Sequence, residues 1–265
     1  MTDQSRLVQA AEPVRLARTV AALILREMST TYGRNVIGYL WAIIEPAAGI
    51  LLLSLVFAAA FRVPPIGTSF AIFYASGLLP FLAYLDISQK LAQSLRFSKQ
   101  LLAYPGVTFI DALLARLILN ALAQLMVFVT VLGGILLIFD VDVILVGEDL
   151  LLAAAMLIVL AAGVGTFNCF AMSVFPTWER VWAILNRPML LISCVLFDFE
   201  SVPEPYRDYL WFNPLVHVIG KLRAGIYPTY RDDYVSPVFV FAVGATLLAL
   251  GLALLRRYHS DILNR

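Results

Sequence analysis

Long apolar runs alternate with polar segments along the whole chain. Six of these runs reach or approach the about 20 residues that an α-helix needs to cross a ~30 Å hydrocarbon layer. The pattern therefore predicts an all-α polytopic membrane protein with six transmembrane helices. The predicted spans are residues 37–61, 70–86, 111–139, 151–175, 182–199 and 236–255.

Composition agrees with this fold class. Of 265 residues, 61% are hydrophobic and only 14% are charged, and the mean hydropathy is +0.86. A soluble domain of this length needs more charge on its surface. We predict a cytoplasmic segment, 1–36, followed by one membrane domain, 37–265. Cys169 and Cys194 lie in apolar runs, which favours buried free thiols over a disulfide.

Residues 14–30 predict an amphipathic helix that lies in the cytoplasmic interface. At 100° per residue its polar face is basic, and Glu27 falls among the apolar positions and interrupts the stripe. A soluble helix preceding the membrane is the alternative. The polar face holds Arg15, Arg18, Thr19, Ala22, Arg26 and Ser29, and the apolar face holds Leu16, Ala17, Val20, Leu23, Ile24 and Met28.

Segment 198–235 has helical periodicity, but four prolines divide it and its charges are too frequent for a span. We predict a pair of short re-entrant helices, at about 200–230, that dip into the outer half of the membrane. Irregular backbone at that depth must be buried in protein or line a wet cavity. The alternative is a surface loop with interfacial aromatic residues.

The distribution of charge sets the predicted orientation. Lysine and arginine concentrate in the first 36 residues, in the loop 86–111 and in the tail, whereas acidic residues dominate the opposite side. Because cytoplasmic loops carry the excess of basic residues, both termini are predicted to be cytoplasmic.

Motifs for catalysis are missing from the sequence. It contains no nucleotide-binding P-loop and no zinc-protease motif, so we predict no catalytic or metal site. Transport would therefore draw its energy from a partner or an ion gradient. Ionisable residues within or at the ends of the spans all lie near the cytoplasmic side, which argues against a midplane relay and an ion-driven carrier; they are Glu45, Asp86, Asp111, Arg116 and Arg187.

Two cytoplasmic loops are candidates for contact with a soluble partner. The loop 86–111 predicts a short basic helix at about 88–102, followed by a Pro-Gly break at 105–106. Its alternative is a solvated basic loop on anionic lipid. The loop 175–180 offers Trp178 and Glu179 as a second contact, with an ordinary turn as its alternative.

Three stretches carry a family resemblance: "GYLWAIIEP" (38–46), "FPTWERVWAILNRPMLLISCVLF" (175–197) and "WFNPLVHVIGKLRAGIYP" (211–228). In this order and spacing they resemble the permease of ABC-2 type exporters. Within that group the chain most resembles capsular polysaccharide export permeases, and less closely the O-antigen and teichoic acid permeases. The similarity covers nearly the whole chain.

The resemblance implies a bacterial inner-membrane protein and a set of partners. Two copies would form a homodimer with a channel between them, and two separate ABC ATPase subunits would bind ATP and Mg, so this chain needs no cofactor. The exported substrate would be a lipid-linked polysaccharide. A periplasmic adaptor, an outer-membrane channel and membrane lipids complete the implied partners, and nucleic acid is not among them.

The resemblance also implies functional residues. The loop between the second and third spans would couple to the ATPase, with help from the loop 175–180; this set is Leu95, Arg96, Phe97, Ser98, Lys99, Gln100, Tyr104, Pro105, Trp178 and Glu179. A gate or entry set comprises Arg15, Arg18, Arg26, Tyr39, Trp41, Glu45, Pro46 and Arg187.

Sugar rings pack their CH faces on aromatic rings, so a polysaccharide channel should be aromatic. Fewer than half of the candidates are expected to line it, because aromatic residues also face lipid. The channel and re-entrant candidates are Phe57, Phe61, Phe73, Tyr74, Phe81, Tyr84, Phe197, Phe199, Tyr209, Trp211, Phe212, Asn213, Pro214 and His217.

Glu45 is predicted to pair with Arg187 or Arg116, facing the dimer interface or the entry; a purely structural ion pair is the alternative.

Two other functions stay open. One is a membrane-embedded acyl- or glycosyltransferase that uses His217 with nearby acids, the best of which are Asp198, Glu200 and Asp208. The other is a non-catalytic scaffold.

Overall fold

The structure is a computed structural model that describes residues 18–28, 36–102, 107–139 and 144–263. Within these ranges the chain is helical and forms no β-strand, as the apolar pattern predicts. The helices are α1 (18–28), α2 (Val36–Ala60), α3 (Phe70–Ala92), α4 (Ser94–Leu102), α5 (Phe109–Phe139), α6 (Gly147–Val174), α7 (Trp178–Ile192), α8 (Tyr206–Trp211), α9 (Pro214–Ile226) and α10 (Pro237–Leu263).

Among the helices in the described ranges, five are long and apolar enough to cross a membrane: α2, α3, α5, α6 and α10. They match five predicted spans, so the chain is a multi-pass membrane protein. The largest boundary differences are in α3, which continues to Ala92 instead of ending at 86, and in α10, which continues to Leu263 instead of ending at 255. The predicted basic helix at 88–102 is therefore wrong at its start, since the chain breaks at Gln93 and α4 begins at Ser94.

The predicted continuous helix at 182–199 is also wrong. α7 has 15 residues, about 22 Å at 1.5 Å per residue, which is short of a full crossing. It ends at Ile192, and Cys194 adopts a φ of 57°. A left-handed residue just past a helix end redirects the chain and stops the helix. Residues 193–198 are not helical.

The packed core is built around α3 and α6. α3 is buried along most of its length and packs against α2, α5, α6 and α9. α6 and α10 approach so closely that a Cβ on Gly163 would overlap the Gly244 carbonyl oxygen. Small residues at membrane-helix contacts permit this approach of backbones. α7, by contrast, buries none of its residues.

Between α7 and α10 the chain forms a 3₁₀ turn (Phe199–Ser201), α8 and α9. The two ends of this segment meet, because the Tyr230 hydroxyl lies 2.9 Å from Asp198 Oδ1 and the Phe199 ring stacks on Tyr234. α9 is buried over nearly its whole length, and the Asn213 side chain caps it by accepting a hydrogen bond from the Leu215 N–H. Burial raises the pKa of the Tyr230 hydroxyl.

Candidate functional site

Arg96 joins the two loops that were predicted to be cytoplasmic and to contact a partner. Its guanidinium donates to Glu179 Oε2 and to the Met172 carbonyl, both at 2.8 Å. α4 is therefore fixed against the end of α6 and the start of α7. The sequence placed Arg96 and Glu179 in one functional set, and the structure brings them into direct contact.

The remaining coupling residues separate into buried and accessible groups. Leu95 and Ser98 are buried and hold α4 in place, whereas Phe97, Lys99 and Gln100 are exposed. The Trp178 indole N–H donates to Asn168 Oδ1 at 2.8 Å, so this tryptophan anchors the start of α7. Tyr104 and Pro105 lie outside the described residues. The accessible surface of α4 is thus small, and its charged side chains are Lys99 and the half-exposed Arg96.

A buried ion pair links α1 to α5 and was missed by sequence reasoning. Arg116 Nε lies 2.9 Å from Glu27 Oε1, and the two side chains are only 7% and 11% exposed. Arg116 also donates to the Lys90 carbonyl at 2.7 Å and lies over the Phe97 ring at 4.1 Å. Arg116 therefore contacts α1, α3 and α4 at once. The signal was present in the sequence as Glu27, the acid that interrupts the apolar stripe of α1.

The predicted pairing of Glu45 with Arg116 is wrong, because Arg116 is committed to Glu27 in the interior. Glu45 and Arg187 are both exposed. Across the described ranges no ion pair joins these two side chains.

Part of the predicted gate set lines a cavity of about 560 Å³ between α2, α3, α5 and α7. Trp41, Glu45 and Pro46 contribute the α2 wall. On the facing helices, Asp86 Oδ2 accepts hydrogen bonds from Gln124 Nε2 at 2.7 Å and from Lys90 Nζ at 2.9 Å. The cavity lies toward the end of the bundle that carries α4. Its polar floor, formed by Asp86, Lys90 and Gln124, was not among the predicted site residues.

The other predicted gate residues do not line this cavity. Arg18 and Arg26 are exposed on α1, and Arg187 is exposed on α7. Arg26 borders the narrow gap between α1 and α4, beside Phe97. Arg15 and the side chain of Tyr39 lie outside the described part of the chain.

The predicted channel and re-entrant residues fall into three groups by burial. Phe73, Tyr74, Phe81, Tyr84 and Phe199 are buried in the protomer, so their proposed place on a channel wall is wrong for this conformation. Phe61, Tyr209 and Phe212 are exposed, and the remaining candidates, Phe57, Phe197, Trp211, Asn213 and Pro214, are partly buried. Asn213 has a structural contact, since its amide donates to the Ile192 carbonyl and to Ser193.

His217 is held by backbone groups on both ring nitrogens. Nδ1 accepts from the Ser236 N–H at 3.2 Å, so Nε2 carries the hydrogen and donates to the Trp211 carbonyl at 2.7 Å. Burial lowers the pKa of this imidazole, which favours its neutral form. A catalytic base needs a free nitrogen and an orienting acid, and His217 has neither arrangement here. The transferase hypothesis thereby loses its best residue.

Arg223 is a second buried arginine that sequence reasoning counted only as an outer basic residue. It is 1% exposed. Its guanidinium lies 4.4 Å over the Phe73 ring and donates to the carbonyls of Phe197 and Val195. These contacts fasten the non-helical turn after α7 to α3 and α9.

The comparisons with known proteins agree with this architecture. The ABC-2 type transporter family model matches residues 18–227. The chain is 34% identical to the polysialic acid transport protein KpsM of Escherichia coli, over 90% of this chain and 92% of KpsM. It is 28% identical to the capsule polysaccharide export inner-membrane protein CtrC of Neisseria meningitidis serogroup A, over 92% of each chain. It is 22% identical to the capsule polysaccharide export inner-membrane protein BexB of Haemophilus influenzae, again over 92% of each chain.

Proposed function

We propose, from the premise that this chain belongs to the ABC-2 type transporter family, that it is the permease of an exporter that moves capsular polysaccharide across a bacterial inner membrane. The observation that carries the proposal is the similarity to KpsM, CtrC and BexB along nine-tenths of the chain. Lipid-linked polysaccharide is the proposed substrate. An O-antigen or teichoic acid type substrate is the alternative.

The path from α7 to Asp198 supports a sixth crossing. At its start, Glu179 contacts Arg96 beside α4; at its end, Arg223 holds the carbonyls of Val195 and Phe197 beside α9. Fifteen helical residues cover about 22 Å, and the turn at residues 193–198 continues the path to Asp198. We infer that the helix and the turn after it cross the membrane together. Six crossings would put both termini on the same side, which we propose to be the cytoplasm.

The meeting of Asp198 with Tyr230 supports a re-entrant arrangement for α8 and α9. A segment whose two ends are joined by a hydrogen bond and a ring stack enters and leaves on the same side. The burial of α9 against α3 and α6 satisfies the requirement that backbone at this depth be covered by protein.

A homodimer is supported by the uncovered faces of the protomer. No residue of α7 is fully buried, and only 11% of the apolar stretch of α2 is buried in the protomer. A second copy packed on α2 and α7 would enclose a channel, with the exposed aromatic residues Phe61, Tyr209 and Phe212 as wall candidates. Lipid alone would also cover these faces, so cross-linking between copies is the discriminating measurement.

The energy source is proposed to be a separate ABC ATPase that binds ATP and Mg and docks on α4. A periplasmic adaptor and an outer-membrane channel are proposed to continue the export path. The exposed Lys99 is the direct docking residue, whereas Arg96 acts inside the permease by holding α4 to α7.

Charge reversal separates these two roles. The chain and its ATPase are co-expressed and purified together, and the ATP hydrolysis and export of each variant are measured. Lys99→Glu should weaken association with the ATPase by about tenfold, because the new carboxylate would face the acidic group that Lys99 is proposed to contact and like charges repel. Arg62→Glu, an exposed reversal in the predicted outer loop, is the matched control. Normal assembly and export by Lys99→Glu would contradict docking at this residue.

Arg96→Glu tests the internal link. It should leave the ATPase bound but lower export per ATP, since α4 loses its hold on α7. The swap Arg96→Glu with Glu179→Arg re-forms the pair and should restore coupling. If no ATPase copurifies with the wild-type chain under mild conditions, the exporter loses its energy source and the proposal fails.

A further inference from the structure

The turn at residues 193–198 is held in place by two side chains that follow it in the chain. We propose that Asn213 and Arg223 are positioning residues for export, which latch this turn to α9, and that the latch opens during each transport cycle. The inference rests on the proposed function, because only a transporter has such a cycle. Neither the family match nor the names of the relatives assign this role to either residue.

The turn lacks hydrogen bonds that a continuous helix would supply. It lies on the proposed sixth crossing, where backbone groups must be satisfied by protein. The Asn213 amide donates to the Ile192 carbonyl at 3.0 Å. The Arg223 guanidinium donates to the carbonyls of Phe197 and Val195 at 3.1 and 3.2 Å. Three carbonyls of the end of α7 and the turn are thus satisfied by two side chains.

Both donors belong to one element. Asn213 is the N-cap of α9 and Arg223 lies in its last turn, and the helix between them is buried over nearly its whole length. α9 therefore contacts the turn at two points whose separation is fixed by the helix. A movement of the turn away from α9 would break both contacts together, so the latch has two distinct states, closed and open.

The positive charge of Arg223 exceeds what these hydrogen bonds require. The residue is 1% exposed, and among the residues that the structure describes no carboxylate forms an ion pair with it. Its Nε also has no acceptor there. A buried charge without a counter-ion is costly, and in membrane proteins such residues usually serve function. A neutral amide could donate at lower cost, so the charge favours a second state in which the guanidinium is no longer enclosed.

The closed turn is also strained and tightly packed. Cys194 adopts a φ of 57°, a conformation that costs free energy in a residue other than glycine and persists only where its surroundings impose it. On α3, a Cβ on Gly77 would lie 2.8 Å from the Val195 carbonyl oxygen and 3.2 Å from Arg223 Nη2. The turn therefore fits against α3 only because residue 77 is glycine.

The two native cysteines can report on the latch. Cys194 lies in the turn and Cys169 lies on α6, and both are buried. The chain is co-expressed with its ATPase, and a maleimide is added to membranes that it can reach from both sides. The labelling rate of each cysteine is measured on separated peptides. Arg223→Lys keeps the charge, but one ammonium group cannot reproduce the planar fork of a guanidinium. Arg231→Lys makes the same change at an exposed position and is the matched control.

Arg223→Lys should raise the labelling rate of Cys194 about tenfold and leave Cys169 unlabelled, because loss of hydrogen bonds from a charged donor favours the open state. Gly77→Ala should act in the same direction with Arg223 intact, since its methyl group displaces the turn. Arg231→Lys should match the wild type. An unchanged Cys194 rate in Arg223→Lys would overturn the latch. If that variant exposes both cysteines it is unfolded, and Gly77→Ala then decides.

ATP tests whether the latch opens during the cycle. Membranes from exporting cells are labelled with and without ATP and Mg. In the wild type, ATP should raise the low Cys194 rate about threefold and leave Cys169 unchanged, because the open state is then populated for part of each cycle. In Arg223→Lys the rate should be high without ATP, and the polymer exported per ATP hydrolysed should fall.

The failure of this inference can be told from the failure of the proposed function. If cells export polymer and ATP does not change the wild-type Cys194 rate, the latch does not open in the cycle and the inference is overturned, while the exporter stands. If the wild-type chain binds no ATPase and supports no export, the proposed function itself fails.

Discussion

The energetics of single residues are clearest at the buried pair of Arg116 and Glu27. Removing one partner of a buried pair leaves an uncompensated charge and costs about 3–5 kcal/mol, whereas replacing both by apolar residues is often nearly neutral. Arg116→Met and Glu27→Leu should each lower the thermal midpoint of the purified chain. The double variant should be more stable than the sum of the single losses predicts.

Arg18→Met, on the same helix but exposed, is the control and should change stability by less than about 0.5 kcal/mol. If the loss of stability in the double variant equals the sum of the two single losses, Arg116 and Glu27 do not interact.

The pair also illustrates what sequence reasoning can reach at this scale. Glu27 was identified as an anomaly on the apolar face, but its partner is distant in the chain, and no local periodicity encodes that contact.

At the scale of elements, the apolar pattern predicted the five long helices because burial and lipid exposure both demand the same unbroken hydrophobicity. The apolar pattern gave wrong helix ends where polar residues continue a helix and where apolar residues leave it. Lys90 and Asp86 pair one turn apart and keep the end of α3 helical. Cys194 adopts the left-handed conformation that glycine usually takes, so the break after α7 had no visible sequence signal.

The contact between α6 and α10 gives the prediction at this scale. Gly163→Ala places a methyl group against the Gly244 backbone, which cannot rotate away. Overpacking of this kind costs about 1–3 kcal/mol, and the thermal midpoint should fall by roughly 3–10 °C. Gly134→Ala on α5 is the matched control, because its Cβ would meet nothing within 4 Å. An equal midpoint for the two variants would mean that α6 and α10 are farther apart than described.

At the scale of the whole molecule, the two native cysteines make the topology testable. Cys169 and Cys194 are free and buried, so a membrane-impermeant maleimide should ignore them in intact cells. Thr177 precedes α7 and Ser201 follows the turn beyond it, and both are exposed. We expect Ser201→Cys to label in intact cells and Thr177→Cys to label only after the membrane is opened. Labelling of both in intact cells would exclude the sixth crossing and the proposed orientation.

The site was predicted less completely than the fold. Trp41, Glu45 and Pro46 were recognised, and all three line the same cavity. Its floor on α3 and α5 was not, because Asp86 and Gln124 are far apart in the chain and meet only through helix packing. Arg96 and Glu179 were placed in one predicted set because the resemblance implied a role for both loops, and their direct contact could not be predicted from spacing; their coupling role stays a prediction.

The glycine contacts of α6 have a mechanical consequence. α6 meets α10 at Gly244 and Gly251 through backbone atoms, and its Gly165 lies against the Ser88 backbone of α3. Interlocked backbones cannot slip by one residue, since every neighbouring register would drive a side chain into the opposing chain. α3, α6 and α10 would thus move as one rigid body during a transport cycle. Movement during the cycle would then be greatest in α7, which makes no glycine contact of this kind and is held by side chains near its two ends.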